Sequence, residues 1–152
     1  MSFHTAYLVL GTNLGNRYKN LSNARLEINE IPRTRIIKKS KIFKSKAYGP
    51  VKQPFFFNLA LEVETKLLPL ELLDQFQQIE KKLKRNKNSH MKPRTIDIDI
   101  VFFGDEEIST PNLTIPHYDW KNRDFFIACL EEISCPYVEG NGLSLKKVKK
   151  LV

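Results

Sequence analysis

Two carboxylates spaced two residues apart stand in the segment TIDIDIVFFG, where Asp97 and Asp99 alternate with apolar residues in the pattern of a β-strand. Side chains two apart on a strand point to the same side, with Cα atoms about 6.6 Å apart, so both carboxylates can hold one or two hard cations. Mg²⁺ suits such oxygen ligands and keeps water and substrate phosphates in its other positions. The alternative is a polar strand face that simply meets water. Asp is a poor strand residue, however, and two like charges on one face repel, which a bound cation would offset.

Basic side chains precede this strand along the chain: Arg85, Lys87, Lys92 and Arg94. Cations beside a carboxylate pair indicate a triphosphate bridged by metal, because together they neutralise phosphoryl oxygens. The competing interpretation is a solvated surface loop, which is the usual environment of lysine-rich segments.

A second polar segment, LTIPHYDWKNRDF, carries His117, Tyr118, Lys121 and Arg123 after a proline. A loop of this kind can direct an imidazole and a guanidinium at phosphate oxygens, with His117 either donating a hydrogen bond or acting as an acid. A lone histidine near prolines is more often structural, so both interpretations stay open.

Aromatic and amide side chains occur together in QPFFFN, at the beginning of another predicted strand. Alternation along the strand places Phe56 and Asn58 on one face. A planar heterocycle could stack on the ring while the amide recognises its edge. Packing in the core is the alternative for any one of these phenylalanines.

The elements that must position these groups follow from hydrophobic periodicity. The pattern predicts strands over residues 5–11, 35–43, 57–63 and 96–103, and helices over residues 21–31 and 69–83. This βαββαβ order is typical of an α+β, ferredoxin-like sandwich in which both helices cover one face of the sheet and the other stays open to ligands. Short helices are predicted over residues 125–133 and 143–152, in a C-terminal extension.

Length and composition favour a single domain over residues 1–152, long enough to bury a core without disulfides. Lysine and arginine outnumber acids by 25 to 17, and the net charge of +8 favours anionic partners without separating nucleotide from nucleic acid. No stretch approaches the roughly 20 apolar residues of a membrane span. The N-terminus has no secretory pattern, so we expect a cytoplasmic protein that binds no membrane. Cys129 and Cys135 lack metal-type neighbours in the sequence and predict neither a disulfide framework nor a zinc site.

Five segments, taken in order, resemble the signature blocks of the 6-hydroxymethyl-7,8-dihydropterin pyrophosphokinase family: GTNLGNR, YGPVKQPFFFN, QQIEKKLKR, KPRTIDIDIVFFG and LTIPHYDWKNRDF. The resemblance extends over residues 5–135 and is more specific than any single block. It implies a ferredoxin-like fold and transfer of the diphosphoryl group of ATP, the co-substrate, to the hydroxymethyl oxygen of the pterin, with release of AMP. It also implies two Mg²⁺ ions, small-molecule substrates without nucleic acid, and a monomer.

The same resemblance implies roles for individual residues. The implied catalytic residues are Arg85, Arg94, Asp97 and Asp99, of which the two aspartates match the magnesium ligands. The residues implied for the pterin are Ser45, Tyr48, Phe56, Asn58 and Phe125. The residues implied for ATP are Gln77, Glu80, Lys87, Arg94, Ile98, Thr114, His117, Tyr118 and Arg123.

The chain departs from the family pattern in two loops. Lys84, Lys87, Met91 and Lys92 replace residues common in one loop, and Lys46 stands where a Thr-Pro turn is common in the other, which removes the stiffness of proline. A relative with weakened activity or a different pterin substrate is therefore one alternative. Another is an RNA-binding module, because ferredoxin-like sheets with exposed rings and positive charge also bind RNA, although no ribonucleoprotein signature is present.

Overall fold

A computed structural model describes residues 2–46, 52–83, 95–138 and, for the backbone alone, 149–150. In chain order these residues form β1 (His4–Thr12), α1 (Arg17–Asn29), β2 (Thr34–Lys39), β3 (Phe43–Ser45), β4 (Phe56–Thr65), α2 (Pro69–Leu83), β5 (Asp97–Phe103), β6 (Ile108–Ser109), β7 (Thr114–Ile115), α3 (Asp124–Glu132) and β8 (Lys149–Lys150). A short 3₁₀ helix at Trp120–Asn122 precedes α3. None of the helices in these ranges is both long enough and apolar enough to cross a bilayer.

The main sheet is antiparallel, with its strands in the order β5–β1–β4–β3–β8 and with β2 also paired to β4. The central strand β1 pairs with β4 along its whole length, from His4 opposite Thr65 to Thr12 opposite Phe57. The strands β6 and β7 form a separate hairpin. The predicted mixture of helices and an antiparallel sheet is therefore confirmed.

The two faces of the sheet pack against different helices. On β1, Ala6, Leu8 and Leu10 belong to the buried cluster that α1 and α2 complete. Tyr7 and Val9 point the other way, into a second cluster formed with α3. The prediction that this second face stays open is therefore wrong over the area that α3 covers, and the rest of the face lines the cavity described below.

Local signals explain where the two long helices begin. Gly15 adopts the left-handed region with φ of 70°, and the side chain of Asn16 then accepts a hydrogen bond of 3.1 Å from the Lys19 N–H as the N-cap of α1. Pro69 is the first residue of α2, where its missing N–H has no intrahelical partner to lose. The start of α2 agrees with the predicted helix, whereas α1 begins at Arg17, before the predicted start at residue 21, because the cap and not the first apolar residue sets its start.

The single strand predicted over residues 35–43 is wrong, because Ser40 divides it into β2 and β3. The Ser40 Oγ accepts a hydrogen bond of 2.8 Å from the Ala60 N–H, and the Ser40 N–H donates one of 2.9 Å to the Ala60 carbonyl. The hydroxyl thus takes the place of a backbone carbonyl in the ladder, and the chain leaves β4 before it returns as β3. This return brings Ser45 opposite Phe56.

The helix predicted over residues 143–152 is wrong where the structure describes it, because Lys149 and Lys150 form the strand β8 beside β3. A β-strand edge carries N–H and C=O groups that need partners, and β8 supplies them to β3. Residues 143–148 and 151–152 lie outside the described part of the chain. The helix predicted over residues 125–133 is confirmed as α3.

Candidate active site

Strand register brings Asn58, Gly11 and Asp97 into one row across the sheet, since Gly11 lies opposite Asn58 of β4 on one side and opposite Asp97 of β5 on the other. Asp99 lies opposite Val9 in a neighbouring row. Paired residues point to the same face of a sheet, and the outer members of such a row are two strand spacings, about 10 Å, apart. The amide and the carboxylates therefore face each other across a glycine.

A cavity of about 90 Å³, partly open to solvent, lies over this row. Its lining side chains include Ser45, Lys46, Phe56, Asn58, Asp97, Asp99, Arg123, Phe125 and Phe126. Aromatic rings with a few polar groups are the usual lining of small-molecule sites. The cavity thus offers rings and an amide at one end and carboxylates at the other.

Asp97 and Asp99 both line this cavity, on the same face, as their spacing predicts. The strand β4 carries another carboxylate pair with the same spacing, Glu62 and Glu64, which lies opposite basic residues of β2. In that pair the Arg35 Nη2 is 2.8 Å from the Glu64 Oε1 at the protein surface. The acidic pair of β5 differs from the surface pair of β4 because it lines a concave site.

The two aspartates fit a magnesium ion better than a zinc ion. Within residues 2–46, 52–83 and 95–138, no group of three or more His, Cys, Asp or Glu side chains is placed to hold a metal. Zinc sites use three or four such ligands, whereas Mg²⁺ is held through one or two carboxylates and completes its shell with water and substrate phosphates. The donor set therefore fits Mg²⁺ that arrives with a phosphorylated substrate.

The side-chain amide of buried Asn58 has a defined orientation. Its Nδ2 donates hydrogen bonds to the Phe43 carbonyl at 3.2 Å and to the Ser45 Oγ at 2.8 Å, both on β3. Its Oδ1 points the other way, over Gly11, where a Cβ would lie 3.1 Å from this oxygen. Asn58 therefore presents a hydrogen-bond acceptor to a ligand edge that carries N–H groups.

Gly11 lines the bottom of the cavity, and its lack of a side chain leaves space there for a ligand. A side chain at this position would also lie 3.5 Å from the Phe56 Cδ1, between the ring and the amide. Gly11 is part of the regular strand β1, and its φ is outside the left-handed region, so its backbone does not require glycine. The reason for a glycine is instead the narrow space above it, between the Phe56 ring and the Asn58 amide.

A second cavity adjoins the first along β5. Its lining residues include Ile98, Asp99, Leu113, Thr114, His117 and Tyr118. Asp99 lines both cavities, so a ligand in each would meet at this carboxylate. The arrangement suits a reaction between two bound molecules, one with a planar ring and one with phosphates that a metal bridges to the aspartates.

Known proteins that resemble this chain indicate its family. The family described as 7,8-dihydro-6-hydroxymethylpterin-pyrophosphokinase (HPPK) matches residues 7–135. The chain belongs to the HPPK family. It is 39% identical over 146 residues to the 2-amino-4-hydroxy-6-hydroxymethyldihydropteridine pyrophosphokinase of Haemophilus influenzae, which covers 96% of this chain and 91% of that protein. It is 38% identical over 139 residues to the enzyme of the same name from Bacillus subtilis, covering 91% of this chain and 83% of that one.

A solved structure agrees on the fold. The wild-type HPPK-DHPS of Plasmodium falciparum, solved with SDX-DHP, superimposes with a TM-score of 0.65 at 19% identity. The match covers 86% of this chain but 40% of that longer one. At this identity the likeness concerns the fold alone. Membership of the HPPK family does not favour the RNA-binding alternative.

The structure brings together the described residues that the HPPK resemblance implies for the pterin, since Ser45, Phe56, Asn58 and Phe125 line the first cavity. The Phe125 ring packs edge-on against Phe126, with centroids 5.0 Å apart. Tyr48 lies outside the described residues.

The residues implied for ATP differ in where they lie relative to the two cavities. Ile98, Thr114, His117 and Tyr118 line the second cavity. Glu80 is not one of the lining residues of that cavity, but its Oε2 accepts a hydrogen bond of 2.8 Å from the N–H of Ile98, which lines it.

Two other residues implied for ATP lie elsewhere, and several are not described. Gln77 has an exposed side chain on α2. Arg123 lines the first cavity, and its Nε is 3.3 Å from the Asp119 Oδ2. The residues that lie outside the described ranges are Arg85, Lys87 and Arg94, together with the departures Lys84, Met91 and Lys92.

The environment of His117 decides between the two roles considered for its imidazole. Its Nδ1 accepts a hydrogen bond of 3.1 Å from the Asp119 N–H, which places the ring proton on Nε2. Burial, followed by the charge of Arg123, lowers the pKa of His117 to about 4, although the Asp119 carboxylate opposes this shift. The neutral imidazole therefore suits a hydrogen-bond donor at neutral pH rather than an acid.

We expect the imidazole of His117 to titrate near pH 4 in an NMR titration of the ligand-free protein. The pKa of His117 is about 4 in the folded chain and 6.5 as the ordinary value in the unfolded chain, so the unfolded state binds more protons between pH 4 and 6.5. The contribution of His117 to the free energy of unfolding should therefore rise with pH between about 4 and 6.5 and be constant above that window. Arg123→Gln should move the titration upward. A midpoint at the ordinary value of 6.5 would contradict the burial argument.

Sequence reasoning missed the roles of Gly11 and Phe126 in the first cavity. The GTNLGNR segment alone is weak evidence, because it matches no phosphate-binding loop. A glycine near the C-terminal end of a predicted central strand is a usable signal, since glycine inside a strand often marks the close approach of a ligand. Phe126 gives no such signal, because aromatic residues on a helix usually pack in the core.

Proposed function

We propose that this chain transfers the diphosphoryl group of ATP to the hydroxymethyl oxygen of 6-hydroxymethyl-7,8-dihydropterin, releasing AMP, as a step of folate biosynthesis. The observation that carries the proposal is the carboxylate pair, which lines a cavity with rings and an amide and, through Asp99, a second cavity with His117. Membership of the HPPK family supports it.

The pterin binds in the first cavity. Its ring lies between the side chains of Phe56 and Phe125, and its N–H edge donates to the Asn58 Oδ1, whose orientation β3 holds. Ser45 supports that amide, and Tyr48 completes the set of pterin residues by resemblance.

ATP binds in the second cavity, beside the outer edge of β5 at Ile98. The His117 Nε2–H donates a hydrogen bond to a phosphate oxygen, and Thr114 and Tyr118 line the cavity. By resemblance, the further residues for ATP are Gln77, Glu80, Lys87, Arg94 and Arg123.

The reaction joins the two ligands above Asp97 and Asp99. The pterin hydroxymethyl oxygen forms a bond to the β-phosphorus, the bond from that phosphorus to the oxygen shared with the α-phosphate breaks, and the hydroxyl proton is released. Asp97 and Asp99 would hold two Mg²⁺ ions, which would neutralise charge on the phosphoryl oxygens. Arg85, Arg94 and Arg123 add positive charge, and the aspartates orient the substrates, so positioning and charge neutralisation dominate.

We also assign the sheet to the ferredoxin-like group. The support is the strand order, in which β1 lies between β5 and β4, and β2 and β3 pair with the other edge of β4 in the same sheet. A monomeric state and a cytoplasmic location stay predictions of the sequence.

The decisive test is a product assay with purified protein, ATP, Mg²⁺ and the reduced pterin. We expect AMP in amounts equal to the pterin diphosphate formed, and none when pterin or Mg²⁺ is left out. Asp97→Ala serves as the inactive control, and Glu64→Ala, which removes a strand carboxylate remote from the cavities, as the active one. ADP in place of AMP, or no nucleotide product, would contradict the proposal.

A further inference from the structure

The segment that leads into Phe56 is hydrogen-bonded to the loop between β1 and α1 and to the first residue of α1. Asn13 is 1% exposed, and its Nδ2 donates to the Gln53 Oε1 at 3.0 Å and to the Pro54 carbonyl at 3.3 Å. Arg17 donates from Nη1 to the Phe55 carbonyl at 2.7 Å. Three consecutive residues before β4 are thus anchored to side chains more than 35 positions earlier in the chain.

Arg17 makes a second contact that fixes its direction. Its guanidinium carbon lies 4.0 Å from the centroid of the Phe57 ring, which a cation–π interaction favours. Arg17 therefore holds the chain on both sides of Phe56, through the carbonyl before it and the ring after it.

The loop that carries Asn13 is itself anchored to α1, the helix that carries Arg17. Asn20 of α1 donates from Nδ2 to the Thr12 Oγ1 at 3.1 Å and to the Leu14 carbonyl at 2.6 Å. Asn16 caps the same helix, so Asn13 extends from a loop tied to α1 at two points, and Arg17 extends from the first turn of that helix. An anchored donor can set the position of its acceptor.

We propose that Asn13 and Arg17 are positioning residues for pterin recognition, and this inference rests on the proposed function. Neither side chain lines the first cavity. Together they fix residues 53–55, and thereby the place at which the Phe56 ring meets the pterin. Binding sites need their contact groups held to within about 0.5 Å, so loosening this segment weakens stacking without removing any group from the cavity.

The test measures pterin and nucleotide binding separately by calorimetry, with a non-hydrolysable ATP analogue and Mg²⁺ added before the pterin. We expect Asn13→Ala and Arg17→Ala each to raise the pterin Kd about tenfold, the effect of losing one or two well-formed hydrogen bonds. The Kd of the ATP analogue should stay within about twofold of wild type. Arg17→Lys, which keeps the charge and one donor, should recover part of the pterin affinity.

Matched controls come from the opposite end of the same elements. The Asn29 Oδ1 accepts a 3.3 Å hydrogen bond from the Ile36 N–H, joining α1 to β2, and Arg35 pairs with Glu64 away from the cavities. Asn29→Ala and Arg35→Ala remove contacts at the protein surface, so they should lower the melting temperature only slightly and leave the pterin Kd unchanged. A double-mutant cycle of Asn13→Ala with Gln53→Ala should be non-additive for pterin affinity.

Two results would overturn the inference. One is an unchanged pterin Kd in both Asn13→Ala and Arg17→Ala. The other is parallel weakening of pterin and nucleotide binding together with the melting temperature, which indicates a structural role only. Failure of the proposed function is distinguishable, because it appears in the wild type as an absence of AMP. If the wild type binds pterin without making AMP, the comparison of pterin Kd values still decides the inference.

Discussion

Asp97→Ala and Asp99→Ala are each expected to reduce AMP formation about a thousandfold, the upper range for losing one preorganised electrostatic contact in an active site. Both carboxylates line the cavity in which the phosphates of ATP would meet the pterin, and Asp99 also lines the nucleotide cavity. The loss should fall on kcat, because charge neutralisation matters most in the transition state. A Mg²⁺ titration of the remaining activity should show weaker metal dependence than in wild type.

Stability separates this catalytic role from a structural one. Removing either of two like charges on one strand face relieves repulsion, so any fall in melting temperature should be small. Glu64→Ala, which breaks the surface pair with Arg35, provides the comparison and should keep full activity. The interpretation fails if either aspartate variant keeps more than about a tenth of wild-type turnover, which corresponds to less than about 1.4 kcal/mol of transition-state stabilisation.

Gly11→Ala is expected to weaken pterin binding about a hundredfold, the effect of misplacing a bound group by roughly 1 Å. The added Cβ would lie 3.1 Å from the Asn58 Oδ1 and 3.5 Å from the Phe56 ring, where the edge of the pterin must approach. Alanine is about 0.5–1 kcal/mol better than glycine inside a strand, but the Asn58 amide must shift to make room for the Cβ, so the two effects oppose each other and the melting temperature should change little. Calorimetry with pterin and with the ATP analogue, together with thermal melting, measures all three quantities.

Gly104→Ala is the matched control for this substitution. Gly104 follows β5 with φ of 54°, so an alanine there is strained, although no atom would lie within 4 Å of its Cβ. This variant should lose stability and keep pterin affinity, the reverse of Gly11→Ala. Wild-type pterin affinity in Gly11→Ala would show that the ligand does not pass over Gly11 to reach Asn58.

Much of the candidate site could be predicted because it depends on local geometry. The period of two along a strand is a property of the backbone, so Asp97 and Asp99, like Phe56 and Asn58, could be placed on common faces from spacing alone. The order of strands and long helices was also predictable, since each element carries its own hydrophobic period. The division of one predicted strand at Ser40 was not, because the serine hydroxyl competes for a ladder partner, Ala60, that lies on another strand.

The sequence by itself determined which groups this protein has for chemistry and which of them share a strand face. Only the tertiary structure decided that Asn58 and Asp97 face each other across Gly11, because that row depends on pairing between segments 47 and 86 residues apart along the chain. The tertiary structure also determines the pKa of His117 and the anchoring of residues 53–55 by Asn13 and Arg17. Burial and long-range hydrogen bonds arise from how the elements pack together, and no local pattern of residue types records them.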